Sequence, residues 1–267
     1  IFGWVNRGIV INIFDFLRNS AGIKNYGLII LILTLIIKLT LSPLTYKSYL
    51  SQAKMKVLKP EIDKITEKHK EKDPMKAQKE TMSLYRKAGV NPMGGCLPML
   101  VQFPILIAMF RFFPASIELR QKSFLWADDL SSYDSIYDLG FNIPMYGDHI
   151  SLFTLLMTVS TLIYTHMNSQ MTSTQMPGMK WMMYLMPIMF LGFFNNYAAA
   201  LSYYYFLANV FTFSQMYFMR RFVDDNALLA QIEENKKKPA KKKSKFQKKL
   251  EEMQRKQEQQ LKNRKKK

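Results

Sequence analysis

Residues Tyr26 to Tyr46 read YGLIILILTLIIKLTLSPLTY. The run is apolar enough to cross a bilayer, yet it carries Lys38 in its interior. Counted from Tyr26 along a helix, Lys38 lies about 18 Å into the hydrocarbon, a layer about 30 Å thick. A cation at that depth costs about 2.5–3.5 kcal/mol on insertion scales and is expected to face protein or water. Thr34, Ser42 and Thr45 stand at i−4, i+4 and i+7 from it and share its helical face, whereas Leu31, Leu33, Ile36, Ile37 and Leu41 supply most of the apolar remainder. The helix therefore has one wet stripe with a fixed positive charge. The alternative is a lysine that snorkels to the headgroups with its stem buried, but snorkelling has no need of aligned hydroxyls.

Composition agrees with a membrane chain. Hydrophobic residues make up 48% of the 267, yet the formal net charge is +18, because long apolar runs alternate with very basic ones. A lone cysteine, Cys96, excludes an intramolecular disulfide framework and a cysteine-based zinc site. His69, His149 and His166 are too scattered to suggest a metal cluster, and no cofactor motif is present. The chain starts at Ile1 without a signal-peptide pattern, so a processed product or fragment lacking a leading segment is expected.

Upstream of the central stretch, residues 1–24 place Phe2, Val5, Ile9, Ile13, Phe16 and Leu17 near one helical face, opposite Arg7, Asn12, Asp15 and Arg18. This segment is too polar to span and reads as an interfacial amphipathic helix. Downstream, residues 44–90 hold twelve basic residues against six acidic ones, a bias that keeps a loop cytoplasmic. Lys and Glu at helical spacing suggest a helical hairpin over 46–90, broken near Lys72–Pro74, with Asp73 as a cap for its second helix.

Four further apolar runs follow. Pro92 to about Ile117 is irregular through Pro98, Pro104 and Pro114, with Gln102 mid-span and Arg111 as an anchor near its outer end. Ile150 to about Met167 carries a hydroxyl stripe of Thr154, Thr158, Thr161 and Thr165. A methionine-rich connection leads to a run from about Trp181 to Phe194, and after a turn at Asn195–Ala199 the last runs from Leu201 to about Met219, with Ser202, Tyr205, Asn209 and Thr212 along one side. Residues 118–149, net −4, suit the outside, and their acids read as solvated loop residues. The basic tail, 222–267, is expected to be a disordered or marginally helical arm attracted to polyanions. The fold class is thus an all-α membrane protein: five transmembrane helices over 25–221, a cytoplasmic helical hairpin and an N-terminal interfacial helix. Its N-terminus lies outside and its C-terminus in the cytoplasm.

Several motifs resemble the YidC family of membrane protein insertases, in the Oxa/Alb superfamily. They are the intramembrane basic residue followed by Pro43-Leu44-Thr45, Ala53-Lys54-Met55-Lys56 with Leu58-Lys59-Pro60, and Val90-Asn91-Pro92-Met93-Gly94-Gly95-Cys96-Leu97-Pro98. Gln102-Phe103-Pro104-Ile105, Glu118-Leu119-Arg120 and Leu201 to Asn209 continue in the same order. The resemblance covers residues 1–221 and implies a five-helix core in the bacterial inner membrane, with a hydrophilic groove open to the cytoplasm and lipid. It implies that Lys38 is the groove's basic residue, where the family usually has arginine, that Phe103 and Pro104 lie on the slide helix for the client's apolar segment, and that Tyr205 faces the groove. Gram-negative members carry an extra leading span and a large periplasmic domain, which fits the non-Met start.

The residues that line the groove on this reading are Lys38, Thr34, Ser42, Gln102, Thr158, Tyr205 and Asn209. The expected function is non-enzymatic insertion and folding of nascent membrane proteins in the lipid bilayer. Expected partners are the ribosome, met through the basic tail and cytoplasmic loops with rRNA contact, the Sec translocon and the signal recognition particle pathway. The rival is a small-solute transporter or channel, which the absence of inverted repeats opposes. An intramembrane hydrolase lacks both H-E-x-x-H and G-x-S-x-G.

Overall fold

The structure is a computed structural model and describes residues 3, 6–69, 74–95, 97–171 and 179–237. It opens with a helical run in which π turns, Asn6–Val10 and Phe16–Ser20, flank the short helix α1 (Ile11–Asp15). Val10, Phe14 and Leu17 are buried, while Ile9 and Phe16 are exposed. The packing face thus differs from the expected Ile9–Ile13–Phe16 face, because the wider π turns change the angular step between residues. Phe2 and Val5 lie outside the described residues.

Helix α2 (Tyr26–Thr40) starts at Asn25, whose Oδ1 accepts a hydrogen bond from Leu28 N at 3.1 Å. It stops at Leu41, and α3 (Ser42–Val57) leaves at 59°. Pro43, in the first turn of α3, has no N–H to give and its ring crowds the carbonyl four residues back. The expected continuous helix over Tyr26–Tyr46 is therefore an elbow. Taken singly, no described helix is long and apolar enough to cross a membrane; this bent pair meets that test together.

Beyond α3 come α4 (Lys59–His69) and α5 (Pro74–Lys87), the two arms of the expected hairpin. Asp73 and the break before it lie outside the described residues. The chain then returns to α3 through Asn91 and a 3₁₀ turn, Pro92–Gly95. Ser51 Oγ donates to Asn91 O, Ser48 Oγ and Gln52 Nε2 donate to Gly95 O, and a Cβ on Gly94 would come within 2.7 Å of Ser51 Oγ. The Asn-Pro-Met-Gly-Gly motif is thus a clasp onto α3 (Cys96 is outside the described residues). Helix α6 (Leu97–Ala115) follows, with Pro104 and Pro114 inside it.

Residues 137–150 depart from the all-α expectation. They form an antiparallel hairpin, β1 (Tyr137–Ile143) and β2 (Gly147–Ile150), with Tyr137 opposite Ile150, Asp138 opposite His149 and an irregularity before Ile143. The remaining helices are α7 (Leu152–Met171), α8 (Met179–Asn195), α9 (Ala199–Phe222) and α10 (Asp225–Lys237). Much of the methionine-rich connection before α8 lies outside the described residues. Helix α9 packs on α7 and on α2, and α8 packs on α7. The main core is built from Ile29, Ile30 and Leu33 of α2, Met109 and Phe113 of α6, Phe153 of α7 and Leu201, Tyr204 and Leu207 of α9.

A second, smaller core sits in the arm. Met55, Leu58, Ile62, Tyr85 and Val90 enclose Ile232 of α10. Asn235 Nδ2 donates to Ala88 O at 3.4 Å, and Lys236 pairs with Glu61. The first part of the basic tail is therefore a docked helix with Leu228 and Ile232 buried, where a marginal arm was expected. Residues 238–267 lie outside the described residues.

Candidate functional site

Two polar clusters stand out, one at the elbow and one at the end of the bundle that carries the β-hairpin. At the elbow, half-buried Lys38 donates through Nζ to Thr212 Oγ1 at 3.0 Å. Thr212 Oγ1 itself donates to Ala208 O at 2.7 Å, so its lone pairs are left to accept the N–H of the ammonium. Gln215, one turn further along α9, donates to Lys38 O at 3.0 Å and to Ser42 Oγ at 2.8 Å, bridging the break at Leu41. Among the described residues no carboxylate lies within ion-pair distance of Lys38. Two buried polar atoms on the same helix, Gln215 Oε1 and Tyr205 Oη, have no hydrogen-bond partner among the described residues. A cation held by one neutral hydroxyl, beside the unpaired acceptor Gln215 Oε1, can receive an acidic or polar guest without first losing an ion pair.

The other expected site residues are placed variously. Asn209 Nδ2 donates to both Ser160 Oγ and Thr161 Oγ1 at 2.9 Å, joining α9 to α7. Thr34 and Thr158 are buried and return their hydroxyls to Ile30 O and Thr154 O of their own helices. They are spoken for, and the structure does not bring them to the Lys38 cluster. Gln102 Nε2 donates to Tyr204 Oη at 3.2 Å, linking α6 to α9. Phe103 is 52% exposed and Pro104 half-buried on the outer surface of α6.

Sequence reasoning missed Gln215 and Ser160. Gln215 was within reach, since it continues the Tyr205–Asn209–Thr212 spacing by three residues; Ser160 falls just beside the threonine stripe.

The second group closes the hairpin end. Asp134, expected as a solvated acid, is buried and accepts from Ser151 Oγ, Phe153 N and Trp126 Nε1. It thereby serves the first turn of α7, where free N–H groups favour an anion. Asn195, also buried, donates to His149 O at 2.8 Å and accepts from Ser151 N at 3.0 Å. His149 lies between two acceptors, Asn195 O at 2.9 Å and Asp148 Oδ1 at 3.1 Å, with its ring stacked on Tyr133. Thr154 and Ser202 meet at 3.1 Å beneath this layer. The result is a dense polar plug between the loop and α7–α9. The side chains named in the plug are hydrogen-bonded to one another and to nearby backbone, whereas Gln215 Oε1 at the elbow has no partner among the described residues.

Comparison with known proteins agrees with this architecture. A family model described as 60Kd inner membrane protein matches residues 16–227, and the membrane protein insertase YidC of Parabacteroides distasonis is 54% identical over 247 residues. The chain belongs to the YidC family. The P. distasonis alignment covers 90% of this chain and 39% of the relative. The YidC insertase of Bacteroides fragilis is 51% identical over 88% of this chain and 39% of its own length, and that of Amoebophilus asiaticus 51% over 90% and 40%. The chain thus spans about two-fifths of the length of these curated YidC relatives. Among solved structures, an active YidC insertase with its first transmembrane domain resolved superposes with a TM-score of 0.57 at 28% identity, covering 80% of this chain and 47% of that one.

Proposed function

We propose that this chain is the core of an inner-membrane insertase that takes the polar segment of a nascent membrane protein into a positively charged groove at the elbow. The observation that carries the reading is Lys38: a half-buried ammonium held by Thr212, with no carboxylate in ion-pair range among the described residues and unpaired polar atoms at Gln215 and Tyr205 on the facing helix. Lending hydrogen-bond partners part-way across the bilayer lowers the cost of moving a polar segment through hydrocarbon. A fixed positive charge attracts acidic residues of the translocated tail. No covalent chemistry is needed, so the protein works as an insertase and chaperone and not as an enzyme.

On this reading there are five spans: the α2–α3 elbow, α6, α7, α8 and α9. The helical arm α4–α5 and the C-terminus lie in the cytoplasm, and the β-hairpin and N-terminal helical run lie outside, in accord with the distribution of basic and acidic residues. Lys38, Ser42, Thr212 and Gln215 form the groove floor, with Tyr205 and Asn209 along its wall and Thr34, Gln102 and Thr158 packing behind it. Phe103 and Pro104 offer the client's apolar segment an exposed surface on α6. The arm and basic tail receive the ribosome, through rRNA contact, and the chain works beside the Sec translocon and the signal recognition particle pathway.

The test is reconstitution of the purified chain in lipid vesicles with a short single-span substrate bearing an acidic tail, assayed by protease protection of that tail. Insertion without solute flux supports the reading. Flux of small solutes without insertion replaces it with a transporter or channel.

A further inference from the structure

The β-hairpin ends in a turn, Ile143–Tyr146, closed by Tyr146 N donating to Ile143 O at 3.0 Å. Pro144 occupies its second place and Met145 its third, with φ +69° at Met145. A turn of this kind asks for glycine or asparagine in the third place, because a side chain is strained there. Met145 is instead a long apolar residue, and it is 88% exposed. Phe141 and Tyr137 of β1 are each 63% exposed, so the ribbon shows an unpartnered apolar edge from tip to base.

The place of the tip decides what covers it. Asn195 and Asn196, at the end of α8, donate to Tyr146 O at 3.0 and 2.7 Å. Gly192, one turn inside that end, faces Met145 O so closely that a Cβ there would lie 2.8 Å from it. The hairpin is therefore folded down beside α8, with its tip inside the helix end. The adjoining surface of α8 is itself apolar and exposed at Met189 and Phe193. The charges carried by the ribbon are Asp138 and Asp148, with no lysine or arginine between Lys122 and Lys180. An anionic headgroup would find no basic side chain on the ribbon, whereas uncharged acyl groups would meet the exposed apolar side chains of its tip and of α8.

We propose that the tip of this hairpin, Phe141 to Met145, is a lipid-inserting wedge seated in the outer leaflet against α8. It holds the plugged end of the bundle at a set depth through apolar contact and not through charge. The proposal rests on the spanning arrangement given above.

It is tested with nitroxide labels on single cysteines in a Cys96→Ser background, in full-length chain reconstituted in neutral phosphatidylcholine vesicles. Labels at positions 141 and 145 are compared with one at Asp138 on the ribbon and one at Met189 on α8, by collision with oxygen and with a water-soluble nickel chelate. The expected result is an oxygen-to-nickel ratio at 141 and 145 several-fold above that at 138 and approaching that at 189. If 189 lies in lipid but 145 is as open to nickel as 138, the wedge is overturned and the spanning arrangement stands. If 189 itself is open to nickel, the arrangement fails and the wedge with it. Spin–spin broadening at 145 that vanishes on dilution with unlabelled protein would assign the tip to a second copy instead of lipid.

Discussion

Gln215 of α9 holds Ser42 Oγ at 2.8 Å while its same amide nitrogen reaches the carbonyl of Lys38 at 3.0 Å. One side chain therefore spans the break in the first long apolar stretch and fixes Lys38 relative to the start of the arm. Gln215→Leu removes both bonds and, at about 0.5–1.5 kcal/mol apiece, lowers the stability of the elbow by about 1–3 kcal/mol. The expected readout is a lower thermal midpoint in detergent, with faster amide exchange around Leu41 than elsewhere in α2.

On the proposed reading, charge and not side-chain shape is what Lys38 supplies. Its contact is a single bond to a hydroxyl, which an arginine can also make. Lys38→Arg is expected to retain insertion. Lys38→Ala is expected to impair it, chiefly for substrates with acidic translocated tails, and equal activity of the alanine variant on those substrates would remove the groove charge.

Water access would distinguish the proposed groove from dry packing. In a Cys96→Ser background, cysteines at Ser42 and Thr212 should react with a membrane-impermeant thiol reagent from the cytoplasmic side. Cysteines at Thr34 and Thr158, buried and bonded within their own helices, should react far less. Labelling of Ser42 and Thr212 from both sides would favour a channel.

How much of this could be read from the sequence follows the range of the interactions. The elbow's ingredients, Lys38 and Pro43, are local, and the five apolar runs correspond to α2–α3, α6, α7, α8 and α9. The groupings were harder. Thr34 shares a helical face with Lys38, but back-bonding to Ile30 takes it out of the wet cluster, and helical spacing cannot distinguish a hydroxyl turned to its own backbone from one turned outward. Asp134 looked like any loop acid because the groups that bind it come from Trp126 and from Ser151 and Phe153 at the start of α7. The β-hairpin was missed because its strand pairing is interrupted and its apolar residues face outward, so no alternation of burial marks it.

The plug depends on Asp134. Asp134→Ala leaves Phe153 N and Trp126 Nε1 without their acceptor, at about 1–3 kcal/mol for each buried group left unsatisfied. The thermal midpoint should fall, and protease cleavage within residues 123–136 should rise. Asp134→Asn keeps one acceptor oxygen and should lose less.

The same loop carries a pH response. Burial by itself would raise the Asp129 carboxyl, but hydrogen bonds from the side chain and backbone of Ser131 and the backbone of Gln121 hold it below the usual range, with Arg120 assisting. A carboxyl lowered on folding contributes stability that is complete above its unfolded value, about 3.9, and is lost as the pH falls through the folded value. Trp126 fluorescence, read with Trp4 and Trp181 replaced by phenylalanine, should report loosening of this loop below about pH 4. Asp129→Asn should diminish that acid step.

On the proposed reading, two parts of the tail have separable roles. Removing residues 238–267 takes away a polycationic arm and should weaken ribosome co-sedimentation in a salt-dependent way, leaving insertion of a short substrate intact. Removing 225–267 also strips Ile232 from the arm's core, so α4 and α5 should lose hydrogen-exchange protection.

The 59° elbow makes α3 a crank. Its sixteen residues form a lever about 24 Å long. At one end are Ser42 and the Lys38 contact, and at the other the small core clamped by α10. A swivel of about 10° at Leu41 would carry the far end through about 4 Å, by the same helix geometry, while the near end scarcely translates. On the proposed reading, a load taken up at the arm would reach Lys38 as torque on the Gln215 bridge.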